Sequence, residues 1–293
     1  MDGAIVLDKP AGMTSFRAVS KLRRLLGGVR AGHLGTLDPL GTGVLPVLLG
    51  RATRLARFYL GHSRGYLATV RFGWATTTYD ADGEQLGEAV EVAPDPEEVE
   101  AALAPFRGKI RQVPPPVSAK RVGGVRAYKL ARQRRPVRLE PAEVEVKDLD
   151  LLDVSGATAK LRCRCSAGTY VRSLAHDLGQ ALGCGAHVAA LRRTSLGEFT
   201  EKHAFTLESL KAMSTEEMQQ AAMISPVQLV PSLPVRRVDA VEASKIRHGR
   251  QFRVSPYGPD GEADVVKAVD PTGRLLCVAR AVGPRMFHPF LVF

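Results

Sequence analysis

Residues 32–47 read Gly32-His33-Leu34-Gly35-Thr36-Leu37-Asp38-Pro39-Leu40-Gly41-Thr42-Gly43-Val44-Leu45-Pro46-Val47. The glycines permit tight turns and close approach of the backbone to a ligand. Pro39 holds the residue before it extended. The loop therefore presents one carboxylate, Asp38, from a constrained backbone. Residue chemistry alone leaves two readings open, an Asx turn ahead of a proline and a catalytic acid.

Working outward, Ala4 to Asp8 reads as a short buried strand, and Lys9-Pro10-Ala11-Gly12-Met13 as a turn. Thr14 or Ser15 can cap a helix with Phe16, Val19, Leu22 and Leu26 on one face and Arg17, Lys21, Arg23 and Arg24 on the other. A second basic helix is expected around Arg51, Arg54 and Arg57. Beyond it, Tyr66, Ala68, Val70, Phe72 and Trp74 alternate with Leu67, Thr69 and Arg71, the pattern of a strand. Asp95-Pro96-Glu97-Glu98 opens a helix, with proline at its first position and acids at its positive end. Gln112 to Arg135, with Pro114-Pro115-Pro116 and many Lys and Arg, predicts an extended basic excursion. Long strands follow over about 137–166. A helix from near Tyr170 carries Val171, Leu174, Leu178 and Leu182 at helical spacing. The composition changes near Val227. Short strands are expected around Gln251–Val254, Asp264–Val269 and Leu275–Val282, with Asp270-Pro271-Thr272-Gly273 turning between the last two.

The chain of 293 residues carries 41 Lys and Arg against 30 Asp and Glu, a formal charge of +11. Arginine supplies most of that charge, and its planar fork suits phosphate. A basic balance is the electrostatic footprint of nucleic-acid binding without being a site. The hydrophobic share of 45% excludes a disordered chain. No apolar run approaches the ~18 residues that span a bilayer, and the N-terminus lacks the pattern of a signal peptide. Cys163, Cys165, Cys184 and Cys277 include no C-x-x-C pair; Cys163 and Cys165 share one strand face and read as small core residues. These features predict a reducing cytoplasm.

Motifs along the chain carry a resemblance. Gly35-Thr36-Leu37-Asp38-Pro39-Leu40-Gly41-Thr42-Gly43-Val44-Leu45-Pro46 resembles the signature of the TruB family of tRNA pseudouridine-55 synthases. Lys9-Pro10-Ala11-Gly12-Met13-Thr14-Ser15 resembles the family's first motif. Tyr66 followed by Gly73, Thr76, Thr78, Asp80 and Gly83 resembles its second. Cys165 to Gly179, around Gly168-Thr169-Tyr170-Val171-Arg172, resembles its third, and Leu191-Arg192-Arg193-Thr194-Ser195-Leu196-Gly197-Glu198-Phe199 its closing core strand. These motifs lie in order over residues 1–200.

The resemblance implies an isomerase that converts uridine 55 in the T loop of tRNA to pseudouridine, with no cofactor and no metal. It places Asp38 as the catalytic carboxylate, acting as a nucleophile or in proton transfer. It pairs Arg172 with Asp38, where a cation should hold the carboxyl ionised by lowering its pKa. Tyr66 matches the aromatic that stacks on the target uracil, and Tyr170 and Leu191 match positions lining the same pocket. His33 matches the residue that takes the place of the flipped base. Gln112 to Arg132 resembles an RNA-gripping insertion, with Ser118, Ala119, Gly124, Arg126, Tyr128, Ala131 and Arg132 in place. It departs at Val117, where many members have an aromatic, and at Arg121, where many have Lys.

The fold expected is α+β: a pseudouridine synthase domain over 1–228 on a mixed, mostly antiparallel sheet, with an RNA-gripping insertion at about 112–135. A small β-rich, PUA-like RNA-binding domain over 229–293 completes it. The partner implied is the T arm of tRNA, with no membrane, no protein partner and a monomeric state. The rival reading is a non-catalytic RNA-binding protein or tRNA-folding chaperone on the same fold, which the joint presence of Asp38, Tyr66 and Arg172 opposes. A zinc deaminase would need P-C-x-x-C, which is missing. Asp80-Ala81-Asp82-Gly83 lacks the later ligands of a calcium loop. His176-Asp177 reads as helix surface or core.

Overall fold

The computed structural model describes residues 1–118, 120–122, 124–127, 139–254 and 263–293. Ala119, Tyr128, Ala131 and Arg132, singled out above, lie outside the described residues, as do the side chains of Arg121 and Arg126.

The larger sheet is built from β1 (Gly3–Lys9), β2 (Ala31–His33), β3 (Thr42–Leu49), β4 (Arg64–Phe72), β5 (Gly108–Gln112), β6 (Ala142–Ser155), β7 (Thr158–Cys165), β8 (Ala186–Leu196), β9 (Phe199–Thr200) and β10 (Ala204–Phe205). Its order is β10-β1-β3-β8-β4-β7-β6-β5, with β2 on β3 and β9 on β8. Only β1 with β10 and β3 with β8 run parallel; the sheet is mixed and mostly antiparallel, as expected. Helices α1 (Ser15–Leu25), α2 (Pro96–Leu103) and α3 (Val171–Ala181) pack on one face.

β1 and β3 are buried on both sides. Ile5, Leu7, Leu45, Val47 and Leu49 enter the core under α1 and α3. Ala4, Val6, Val44 and Leu48 enter a second cluster on the opposite face. That second cluster also takes Leu229, Val230, Val278 and Leu291, so it joins the larger sheet to a five-stranded one near the C-terminus. The smaller sheet comprises β11 (Val235–Arg237), β12 (Phe252–Arg253), β13 (Val265–Val269), β14 (Leu275–Gly283) and β15 (Met286–Val292), in the order β11-β13-β14-β15-β12. β15, β11 and a helix, α4 (Ala240–Arg247), were not in the sequence reading. β15 pairs antiparallel with β14, with register shifts at Val278/Ala279 and Ala281/Gly283, and His288 and Pro289 interrupt its apolar pattern.

Three local expectations change. Phe16 is not on the buried face of α1 but is 76% exposed. Ser15, Ala18, Val19 and Leu22 form that face instead, because the Ser15 hydroxyl has its partners inside the protein. The basic segment after β3 is a 3-10 helix, Gly50–Tyr59, which buries Ala52, Leu55 and Tyr59. Finally, residues 112–118 are not an excursion. Gln112 and Ser118 are buried, and Ser173 Oγ donates to the Val113 carbonyl at 2.7 Å. Beyond them, Arg121–Val122 and Val125–Arg126 pair as a short hairpin, and residues 128–135, the rest of the expected excursion, lie outside the described residues. Cys163 and Cys165 are buried free thiols on β7, as their spacing predicted. Among the described residues no helix is long and apolar enough to cross a membrane.

Candidate active site

Asp38 stands on a loop that buried side chains clamp on both flanks. Before it, the Ser15 hydroxyl accepts from the Leu37 N–H at 2.8 Å and donates to the Leu37 carbonyl at 2.9 Å. After it, the Pro39 carbonyl accepts from the Gly12 N–H at 2.9 Å and from Lys9 Nζ at 3.2 Å. Lys9 is wholly buried, and it also donates to the Met13 carbonyl at 2.6 Å. Burial pulls its ammonium down to about 8, which Asp38 opposes. From below, fully buried Arg193 donates to the carbonyls of Val44 (2.7 Å) and Gly35 (3.1 Å). Gly43 makes this possible: its φ is +93°, and a Cβ there would sit 2.3 Å from the Arg193 carbonyl. A buried carbonyl without a donor is costly, so these three side chains fix the loop's path.

Arg172, the second residue of α3, meets Asp38 across 134 residues of sequence. Its Nη2 donates to Oδ1 at 3.0 Å, and its Nε lies 2.9 Å from Oδ2. The same guanidinium reaches Asp80 Oδ2 at 3.2 Å, the Thr78 carbonyl at 2.8 Å and the Val117 carbonyl at 3.0 Å. The Arg172 and Asp80 side chains are 4% and 5% exposed, while Asp38 keeps 34%. One arginine thus neutralises a buried carboxylate and aims an accessible one. The contact with residue 117 is made by backbone, so the missing aromatic at Val117 leaves it intact.

Asp80, which the second motif contains, is a further member of the site. Its other oxygen accepts from Thr78 Oγ1 and from the Asp82 N–H. The turn that delivers it passes through Tyr79 at φ +64°, rare for a residue with a side chain. The Tyr79 ring lies flat on His176, with centroids 3.8 Å apart, one helical turn beyond Arg172. His176 is therefore a docking surface for this turn. Arg193 is another member of the site. The signal available was its parity with Leu191 on β8, since an arginine on the inward face of a strand needs a set of acceptors.

Asp38, Tyr66, Tyr170, Arg172 and Leu191 line one cavity of about 280 Å³, together with Arg64. Tyr66 and Leu191, each 7% exposed, stand on the adjacent strands β4 and β8, opposite Arg193 and Ala68 respectively, and both line the cavity. Burial raises the Tyr66 phenol above its ordinary range, so it stays protonated. Tyr170 precedes α3, and its backbone N–H donates to Gln112 Oε1 at 2.8 Å. His33 is not part of this lining. It ends β2, half-buried, with Nδ1 lacking a partner among the described residues; burial keeps its imidazole neutral. Among the described residues no three His, Cys, Asp or Glu gather to hold a metal.

The electrostatics correct one expectation. Arg172 does pull the Asp38 carboxyl down, but burial outweighs it and Asp80 adds to the rise, so Asp38 lies above the ordinary carboxylate range. Raising this pKa makes the carboxylate a stronger base when ionised. If the reaction needs the ionised form, its rate falls as pH drops through that raised value. We expect the acid limb of the single-turnover rate to lie above the free-Asp value of ~3.9. Asp80→Asn removes a charge that raises it, so the limb should move to lower pH. A limb at or below the free-Asp value would contradict this balance.

The family model described as TruB family pseudouridylate synthase, N terminal domain, matches residues 23–171. A second, described as tRNA pseudouridylate synthase B C-terminal domain, matches residues 172–230. The chain is 49% identical over 292 residues to a tRNA pseudouridine synthase B of Solibacter usitatus, covering 100% of each. It is 42% identical to that of Burkholderia mallei, covering 96% of this chain and 93% of the relative. Among solved structures it resembles a chain of an H/ACA ribonucleoprotein bound to a substrate RNA containing 2'-deoxyuridine. That likeness has a TM-score of 0.71 and 25% identity, over 99% of this chain and 84% of the other. A chain of an archaeal Nop10–Cbf5 complex aligns with a TM-score of 0.65 and 27% identity, over 95% and 78%.

Proposed function

The chain belongs to the TruB family of tRNA pseudouridine synthases, and on that premise we propose that it isomerises uridine 55 in the T loop, with Asp38 as the catalytic carboxylate. The observation that carries this reading is a single accessible carboxylate, aimed by a buried arginine into a cavity walled by Tyr66 and Leu191.

The target base lies in a folded loop and must be extruded, at a cost of a few kcal/mol. Tyr66 offers the extruded uracil an aromatic face, and Leu191 and Tyr170 close the pocket around it. His33, outside the cavity, fills the gap the base leaves in the RNA stack. With the base held, the N1–C1′ bond breaks beside the Asp38 carboxylate, the ring turns, and C5 bonds to C1′. The C5 proton is lost and N1 gains one, so the net reaction consumes nothing. The loop clamps of Ser15, Lys9 and Arg193 keep the carboxylate in place while the base turns.

Residues 229–293 act as a PUA-like RNA-binding domain in this reading; of Arg236, Arg237, Lys245, Arg247, Arg250 and Arg253, all but the buried Arg236 add to the basic surface. The protein works as a monomer in the cytoplasm on the T arm. Binding without chemistry would also allow a tRNA-folding role.

The test is pseudouridine mapping at single-nucleotide resolution on unmodified tRNA transcript. Signal at position 55 and its loss in Asp38→Asn supports the reading; modification elsewhere, or none, overturns it. The isomerisation transfers no hydride and activates no phosphate. Turnover on a short T-arm stem-loop should therefore survive excess chelator, and loss restored by one specific metal ion would refute that.

A further inference from the structure

The cavity holds a second guanidinium that no carboxylate meets among the described residues. Arg64 opens β4 and lines the cavity beside Asp38 and Tyr66. Among the described residues its guanidinium makes no ion pair or hydrogen bond, and its Nε is buried without a partner. The other charges there are accounted for. Arg172 holds Asp38 and Asp80, and Arg193 is spent on loop carbonyls. Arg64 instead lies over Gly35, where a Cβ would be 3.2 Å from its Nη2; the glycine leaves room for the guanidinium.

We propose that Arg64 is the subsite for a phosphodiester flanking the extruded uridine. This rests on the reading that Tyr66 receives the base. Residues two apart on a strand point the same way, so Arg64 and Tyr66 face one side, about 6.6 Å apart along the strand. That is the scale on which a nucleotide separates its base from its backbone. A flipped nucleotide carries its phosphates toward the protein with its base. A bare guanidinium beside the base site is the chemistry that takes them, bidentate and charge-assisted. Arg64 would thus convert phosphate affinity into registration of the target nucleotide over Asp38.

The experiment uses the full chain and a T-arm stem-loop carrying a methylphosphonate at one or the other phosphodiester flanking the target. Affinity is read by filter binding on the Asp38→Asn background, and rate by single turnover with Asp38 present. Arg64→Ala should weaken binding about tenfold and reduce the salt slope by about one. The saturating rate should fall by a smaller factor. Arg64→Lys should recover most of the affinity. One methylphosphonate should cost the parent as much as Arg64→Ala does, and cost Arg64→Ala nothing further. Additive losses at both positions, unchanged affinity in Arg64→Ala, or a rate loss without an affinity loss would each overturn the proposal; the last would mark contact with the uracil instead. The reading of the site is judged separately, since it fails if Asp38→Asn forms product, whatever Arg64 does.

Discussion

Asp38→Asn binds tRNA about as tightly as the parent protein and forms no detectable pseudouridine. That is the expected result, and the geometry explains both halves. In the proposed mechanism, affinity comes from basic groups meeting phosphates and from stacking on Tyr66. Asp38 is an anion facing an anionic ligand and adds nothing to attraction. The amide keeps the size of the side chain and can still accept from Arg172, but it is neither a base nor a nucleophile at neutral pH. Arg172 does not lose its only counter-ion, because Asp80 stays 3.2 Å away. The fold should therefore survive, and circular dichroism should match the parent. Filter-binding affinities and single-turnover rates on the same preparations decide it. Substantial product from folded Asp38→Asn, after deamidation back to Asp is excluded, would falsify the assignment.

Arg172→Met should be damaging in two measurements at once. It leaves Asp38 and Asp80 facing each other without a cation, and strips the Thr78 and Val117 carbonyls of their donor. Breaking a buried pair by removing one partner costs about 3–5 kcal/mol, read as a fall in the urea midpoint. With the carboxylate no longer aimed, the single-turnover rate should fall by at least ~10²-fold. Arg172→Lys keeps the charge and should fold. An ammonium cannot reach two carboxylates and two carbonyls in the geometry of a planar fork, so its rate should lie between those of the parent and Arg172→Met. Parental rate and stability in Arg172→Met would refute the pairing. If that variant fails to fold, a parental rate in Arg172→Lys would do so.

Local matters are legible in residue order alone. Glycine and proline around Asp38 dictate a stiff loop with one carboxylate, because they restrict the backbone whatever surrounds it. Alternation along Tyr66–Phe72 sets a strand with Tyr66 inward, and the spacing of Val171, Leu174 and Leu178 sets a helix that carries Arg172. The order of motifs is enough to mark the family. What the sequence left open is what stands opposite each face. Phe16 fits a helical stripe as well as Ser15 does; only the Leu37 backbone makes Ser15 the inward residue. Asp80 and Arg193 bear charge on segments that the pattern reads as turn and strand. Their roles exist only where chain ends of the sheet bring residues 35–44, 78–80, 117, 172 and 193 together. The protonation of Asp38 was decided in the same place. Arg172 alone predicts a lowered pKa, but the carboxyl responds to the sum of desolvation and every nearby charge, and both are set by tertiary packing. A linear pattern encodes which way a side chain points, while its electrostatic surroundings are assembled from segments more than a hundred residues apart.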